Sequence, residues 1–380
     1  MVAPELVYPL IWIGALLLLC LTLLLYWLAH NRPLQLQRIG GNPVLRPDPT
    51  HWWESEAVFN PGAVVDNGKV HLFYRAMGKD GISRIGYASS KDGIHFDERL
   101  PYPVYAPTSG MIANAAVMLK KRGLSYETLT YDTFTFGSGG GWGGAEDPKV
   151  SIVDDTVYMT YVNNNGWEDI RISLVTLSLA DLRAKRWNWS EPQFMSQRKE
   201  RGGINNKSGI IMEQTVGGKY VIFHRIYPNI SIDYRDKLQF GPDNYLVEHA
   251  IIPPRHDYWD NYKISMGAAP IATPAGLLAI FHATDRNDWR YKIGAMILDK
   301  NDPAKVLYRS ATPILTPETF YENDWKPGIV YPSGAVVLGE DLFVYYGAGD
   351  KYVAAAHTNL KEFLHKLTRH QHAVLEPVKV

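Results

Sequence analysis

Nine polar side chains stand at the ends of five similar apolar stretches, and they are the groups in this chain best placed to do chemistry. They are Asn60 and Arg75, Asp147 and Asn163, Lys207 and Arg225, Lys263 and His282, and Asp350. Lysine, arginine and histidine beside isolated carboxylates suit the holding of an anion next to an acid. Each has a plainer reading as well. Asp147 can cap a turn, Arg225 can form a structural ion pair, and His282 can be a hydrogen-bonded core histidine. What favours chemistry is their origin in separate repeats that a closed ring would bring together.

The repeat is a hairpin: a small-residue start, an apolar strand, a polar turn and a β-branched or aromatic strand. Its copies are NPGAVVDNGKVHLFYRA from Asn60, DPKVSIVDDTVYMTYVN from Asp147 and KSGIIMEQTVGGKYVIFHR from Lys207. MGAAPIATPAGLLAIFHA from Met266 and PSGAVVLGEDLFVYYGA from Pro332 complete the set. Turns such as Asp66-Asn67-Gly68 and Gly217-Gly218 are of the kind hairpins prefer. A second strand pair follows most copies, as in SRIGYASSKDGIHF from Ser83. Four strands repeated five times predict an all-β, five-bladed β-propeller over residues 42–380, with the first strand of each blade lining a central channel. The longer first interval holds an insertion over 111–144 with the run GSGGGWGG, expected as a loop or lid.

Composition narrows the function. Lys+Arg and Asp+Glu are both 39, so no global field points to nucleic acid. The single cysteine, Cys20, excludes a disulfide framework and a thiolate metal site in the repeat region. Cys20 lies in the apolar run Leu6 to Ala29, with Tyr8, Trp12, Tyr26 and Trp27 near its ends. This run predicts a single N-terminal transmembrane helix, with 1–32 as anchor and flanks and 33–41 as linker. Arg32 and Arg38 follow the run and no basic residue precedes it, so the expected topology is single-pass with a cytoplasmic catalytic domain.

From about Asn42 to about Leu364 the sequence resembles glycoside hydrolase family 130, the β-mannoside phosphorylases and their relatives. The stretches that carry the resemblance include GISRIGYASSKDGIHF, GGAEDPKV, NNKSGIIMEQTVGGKYVIFHR, KISMGAAPI and YPSGAVVLGEDLFVYYGAGDKYV. It implies a five-bladed propeller with a sugar site at its centre. Asp147 in EDPKV then matches the family's catalytic acid, which protonates the leaving oxygen through a hydroxyl of the bound sugar. Lys207, Arg225, Lys263 and His282 match its phosphate ligands. Arg75 and Asp350 match residues that hold the sugar, and Asn60 and Tyr291 match site-lining positions. The chain departs from the family pattern at Lys149, where arginine is usual, at Ser208, where aspartate is usual, and at MEQT from Met212.

The expected reaction is inverting phosphorolysis of a β-mannoside to α-mannose 1-phosphate and an acceptor sugar, reversible in kind. Inorganic phosphate is the co-substrate, and no metal or organic cofactor is expected. An inverting hydrolase needs a second carboxylate to activate water, whereas phosphate already carries charge and needs only neutralisation and aim. The alternatives are a β-mannoside hydrolase, for which Glu213 is an available base, and a non-catalytic, membrane-tethered glycan-binding propeller. The expected partners are a mannose-containing oligosaccharide, phosphate, and a membrane through residues 6–29.

Overall fold

The computed structural model describes residues 12–24, 34–108, 110, 113, 117, 120, 121, 123, 141–165, 170–197, 206–370, 372–375 and 378–379. The chain divides into two compact units, Met1–Gln35 and Leu36–Val380.

In the first unit residues 12–24 are helical. The expected transmembrane helix is not borne out: among the described residues no helix is long and apolar enough to cross a membrane. The thirteen described helical residues account for about 20 Å at about 1.5 Å each, against a hydrocarbon core of about 30 Å. The rest of the apolar run, 6–11 and 25–29, lies outside the described residues. The membrane partner and the single-pass location with a cytoplasmic catalytic domain rested on that span, and they fall with it. Hydropathy registers a run of apolar side chains, not how far a continuous helix extends.

The second unit is a ring of five antiparallel blades. Blade 1 comprises β2 (Ala57–Asp66), β3 (Lys69–Met77), β4 (Ile82–Ser90) and β5 (Glu98–Arg99). Blade 2 comprises β6 (Gly143–Val153), β7 (Thr156–Asn165), β8 (Ile170–Ser178) and β9 (Gln193–Phe194). In blade 3, β10 (Asn206–Ile211), β11 (Tyr220–Ile226), β12 (Ile230–Arg235) and β13 (Ala250–Ile252) follow in order. The inner edge of blade 4 is split between β14 (Lys263–Met266) and β15 (Ile271–Thr273), both on β16 (Gly276–Thr284), with β17 (Tyr291–Leu298) and β18 (Val306–Arg309) outside. Blade 5 is β19 (Val330–Leu338), β20 (Asp341–Ala348) and β21 (Tyr352–Asn359), completed by β1 (Gln37–Arg38) from the other end of the chain. Gln37 and Arg38, inside the expected linker, thus pair with His357 and Ala356. Two short C-terminal strands, β22 (His372–Leu375) and β23 (Val378–Lys379), pair with the outer edges of blades 4 and 3.

Strand alternation holds the ring together. On β3, Val70, Leu72 and Tyr74 face Phe343 and Tyr345 of blade 5, whereas Phe73 faces Met159 and Tyr161 of blade 2. A central strand therefore buries both faces, each against a neighbouring blade.

The feature that shapes the hub is a β-bulge in the innermost strand. The register of β2, β6, β10 and β19 shifts at Phe59/Gly62, Glu146/Lys149, Lys207/Ile210 and Pro332/Gly334. In three of them the bulged residue is left-handed: Asn60 at φ 50°, Asp147 at φ 50° and Ser208 at φ 58°. Bulges re-aim a side chain that a regular strand would point elsewhere, and asparagine and aspartate tolerate that backbone better than most residues. Glycine follows at the crowded centre. A Cβ on Gly334 would sit 2.5 Å from Ala63 Cβ and 2.9 Å from Pro61 O of the next blade.

Candidate active site

The bulges open on one mouth of the ring. Its cavity is lined by Phe59, Asn60 and Arg75 of blade 1, Asp147 of blade 2, Lys207 and Arg225 of blade 3 and Tyr291 of blade 4. Ile329, Tyr331 and Asp350 of blade 5 and Lys326 from the segment before it complete the wall. Seven of the residues expected from sequence thus meet in one place. Lys263 joins them through its ammonium, which donates to Tyr291 Oη at 2.6 Å. His282 stands one layer back, fully buried, with its ring 4.3 Å from that of Tyr331 and 5.7 Å from that of Tyr291. Asn163 is buried on β7 and is not part of the wall.

Asp147 is held in a fixed pose. Asn60 Nδ2 donates to Asp147 Oδ1 at 2.7 Å, and Arg75 Nη1 donates to the same oxygen at 3.3 Å. Asn60 fits only because residue 347 is glycine, where any Cβ would lie 1.9 Å from Asn60 Oδ1. Arg75 is itself anchored by Ser83 Oγ at 2.9 Å and by the buried Glu146 at 3.1 Å. Glu146 also accepts from Asn164 Nδ2, so this second carboxylate is committed to structure. Burial pushes the Asp147 carboxyl up, but Arg75, the Asn60 hydrogen bond, Lys207 and Lys149 outweigh it and hold the group below the ordinary carboxylate range.

The opposite wall is cationic. Among the described residues, neither Lys207 nor Arg225 has a carboxylate within salt-bridge distance. Burial lowers the Lys207 ammonium from its ordinary value, with Arg225 and Arg75 adding repulsion against the pull of Glu146 and Asp147. Burial, with the charges of Arg225, Lys149 and Lys263, also holds His282 well below the usual histidine range, so its ring is neutral. Neither of its nitrogens has a partner among the described residues. Buried charges without counter-ions are costly, and an anionic ligand offsets that cost.

Sequence reasoning missed Lys326 and Tyr331. Lys326 pairs with Asp350 Oδ2 at 3.2 Å, and Asp350, like Asp147, is left-handed at φ 54°. The signal for Tyr331 was available, because it immediately precedes the fifth hairpin copy. Lys326 belongs to no repeat and carried no signal. Lys149, where the family pattern has arginine, crosses the hub and donates to the carbonyls of Gly267 at 2.5 Å and Pro332 at 3.3 Å, and burial pulls its ammonium down to about 7. Glu213 lies elsewhere, with Val65, Val150, Ile271 and Val337 around a separate cavity at the far ends of the inner strands. The expected insertion over 111–144 falls largely outside the described residues. Of its end, Trp142 donates to Gly81 O, and Gly143 and Gly144 pair in parallel with Ile82 and Ser83, joining blades 1 and 2.

A five-bladed propeller whose hub sets an oriented carboxylate across from Lys207 and Arg225, cations with no carboxylate partner among the described residues, is a class of protein built for chemistry on a ligand held at the axis. The family whose sequence pattern matches residues 127–369 is glycoside hydrolase family 130, described as beta-1,4-mannooligosaccharide phosphorylase. A 1,2-beta-oligomannan phosphorylase from Thermoanaerobacter sp. (strain X514) is 34% identical over 340 residues, covering 87% of this chain and 99% of the relative. A beta-1,2-mannobiose phosphorylase from the same organism is 33% identical, covering 85% and 96%. Among solved structures, a putative glycoside hydrolase from Bacteroides ovatus superposes with a TM-score of 0.67 at 28% identity, covering 87% of this chain and 97% of that one. The chain belongs to glycoside hydrolase family 130.

Proposed function

We infer that this protein is an inverting β-mannoside phosphorylase, converting a β-mannoside and inorganic phosphate into α-mannose 1-phosphate and an acceptor sugar. The observation that carries the reading is the pairing, across one cavity, of the oriented acid Asp147 with the half-buried Lys207 and Arg225, which have no carboxylate partner among the described residues, while the cavity's other carboxylate, Asp350, is paired with Lys326. Lys207 and Arg225, backed by Lys263 and His282, neutralise and aim the phosphate. Asn60, Arg75, Asp350 and Tyr291 hold the mannose, and Asp147 supplies the proton for the leaving oxygen. A phosphate oxygen bonds to the anomeric carbon as the glycosidic bond breaks. The proton carried by hydrogen phosphate balances the one delivered to the acceptor, so no cofactor enters the stoichiometry.

An acid must hold its proton, whereas Arg75, the Asn60 hydrogen bond and Lys207 favour the ionised form of Asp147. Phosphate resolves this. A dianion seated among Lys207 and Arg225 offsets the pull of Lys207 on the carboxyl and adds repulsion of its own, so the Asp147 pKa rises. Phosphate binding is therefore expected to take up a proton, seen as a buffer-dependent heat in calorimetry, and kcat should fall as pH rises through the bound-state value. Equal binding heats in buffers of different ionisation enthalpy would contradict this coupling.

The experiment for the reaction is a donor screen with and without phosphate. Mannose 1-phosphate formed only when phosphate is present supports the reading; free mannose formed in its absence means hydrolysis. Hydrolysis lacks its proposed base here, because Glu213 is at the other end of the hub. Glu213→Gln should leave turnover within about twofold of wild type, whereas loss of a general base costs about 10²-fold or more.

A further inference from the structure

Inversion at the anomeric carbon is an in-line displacement, so the acceptor departs from the side opposite the phosphate. The cations come from blades 3 and 4, and in a ring of five the blade facing the seam between them is blade 1. The mouth over blade 1 is formed by the segment leading into β2 and by the β3–β4 connection, since Asn60 lies near the start of β2 and Arg75 near the end of β3. An aromatic side chain stands there. Trp52 is 65% exposed, while its neighbour Trp53 is buried. The Arg84 guanidinium lies 4.5 Å from the Trp52 ring and is pinned by Asp80 at 2.6 Å and by the Ile82 carbonyl at 2.9 Å. The backbone is fixed too: a Cβ at Gly78 would be 2.0 Å from the Trp52 carbonyl oxygen, so only glycine permits this approach. An indole held this firmly, yet left open to solvent, is a preorganised surface for the apolar face of a sugar ring.

Resting on the phosphorylase reading, we propose that Trp52 is the platform for the acceptor end of a β-mannan chain, taking the second acceptor sugar of substrates of three or more units. Trp52 is not part of the cavity wall, so a sugar on it would lie outside that cavity. A second aromatic cluster provides an internal control. Tyr227, Tyr262 and Trp289 pack with centroids 5.5 and 4.8 Å apart over blades 3 and 4, and Tyr227 and Trp289 are exposed. They sit on the phosphate side, where in-line departure does not send the acceptor.

The test compares phosphorolysis of β-linked mannotriose and mannobiose, in the 1,2- and 1,4-linked series, by wild type and variants of the full chain. Trp52→Ala should lower kcat/KM for the trisaccharide about five- to tenfold through KM, as expected for one lost aromatic contact. The disaccharide and the KM for phosphate should change less than twofold. Trp52→Phe should recover most of the loss, and Trp289→Ala should behave as wild type on both substrates. The proposal is overturned by no loss, by equal loss on both substrates, by a chain-length effect in Trp289→Ala instead, or by a wild type that uses the disaccharide alone. A wild type that forms no mannose 1-phosphate from either substrate overturns the phosphorylase reading itself.

Discussion

Asp147→Asn should lower kcat for phosphorolysis by about 10³-fold, the scale of a lost general acid. Asparagine is nearly the same shape and accepts the left-handed backbone that residue 147 adopts at φ 50°. The bulge therefore survives, and the thermal midpoint should stay close to wild type. The direction of the phosphate effect separates an acid from a binding residue. Removing a carboxylate that faces Lys207 and Arg225 across the cavity lessens repulsion of the incoming anion, so the KM for phosphate should hold or fall while kcat collapses. An aryl mannoside whose leaving group needs no proton should lose much less. Turnover of a natural mannoside within tenfold of wild type would remove Asp147 from the mechanism.

Arg225→Met should cut kcat/KM for phosphate by about 10²- to 10³-fold, the range seen when one partner of a buried, hydrogen-bonded charge pair is removed. Its effect on stability runs the other way. Arg225 lies half-buried near Lys207, Lys149 and His282, and each of them is depressed partly by its charge. Without phosphate these cations repel, so exchanging one for an apolar side chain of similar length should leave the thermal midpoint unchanged or raise it. Phosphate at a hundred times its dissociation constant should stabilise wild type by about 2.7 kcal/mol, and Arg225→Met should lose most of that gain at the same concentration. A variant that melts lower yet keeps its phosphate response would recast Arg225 as a structural residue.

Much of this is legible in the sequence itself. Five hairpin copies with small-residue starts and turn-forming Asn, Asp and Gly specify five blades, because the two-residue period and the turn chemistry are local. The same starts and ends named Asn60, Arg75, Asp147, Lys207, Arg225, Lys263 and Asp350, all of which meet at the hub or directly against it. The transmembrane expectation went astray, since among the described residues no helix is long and apolar enough to cross a membrane.

Tertiary structure alone decided the rest, since it depends on which strands become neighbours once the ring closes. Alignment of the copies set Lys207 level with Asp147, whereas the bulges set Ser208 there, turning the lysine to the neighbouring position. Glu213, close in sequence to the cationic motif, ends at the opposite mouth because β10 runs the depth of the hub between them. Lys326 enters the site from a segment outside every repeat, and His282 withdraws behind two tyrosine rings. Sequence therefore supplied the cast and the count of blades, while which side chain reaches the axis was settled by bulge geometry and close packing at the centre.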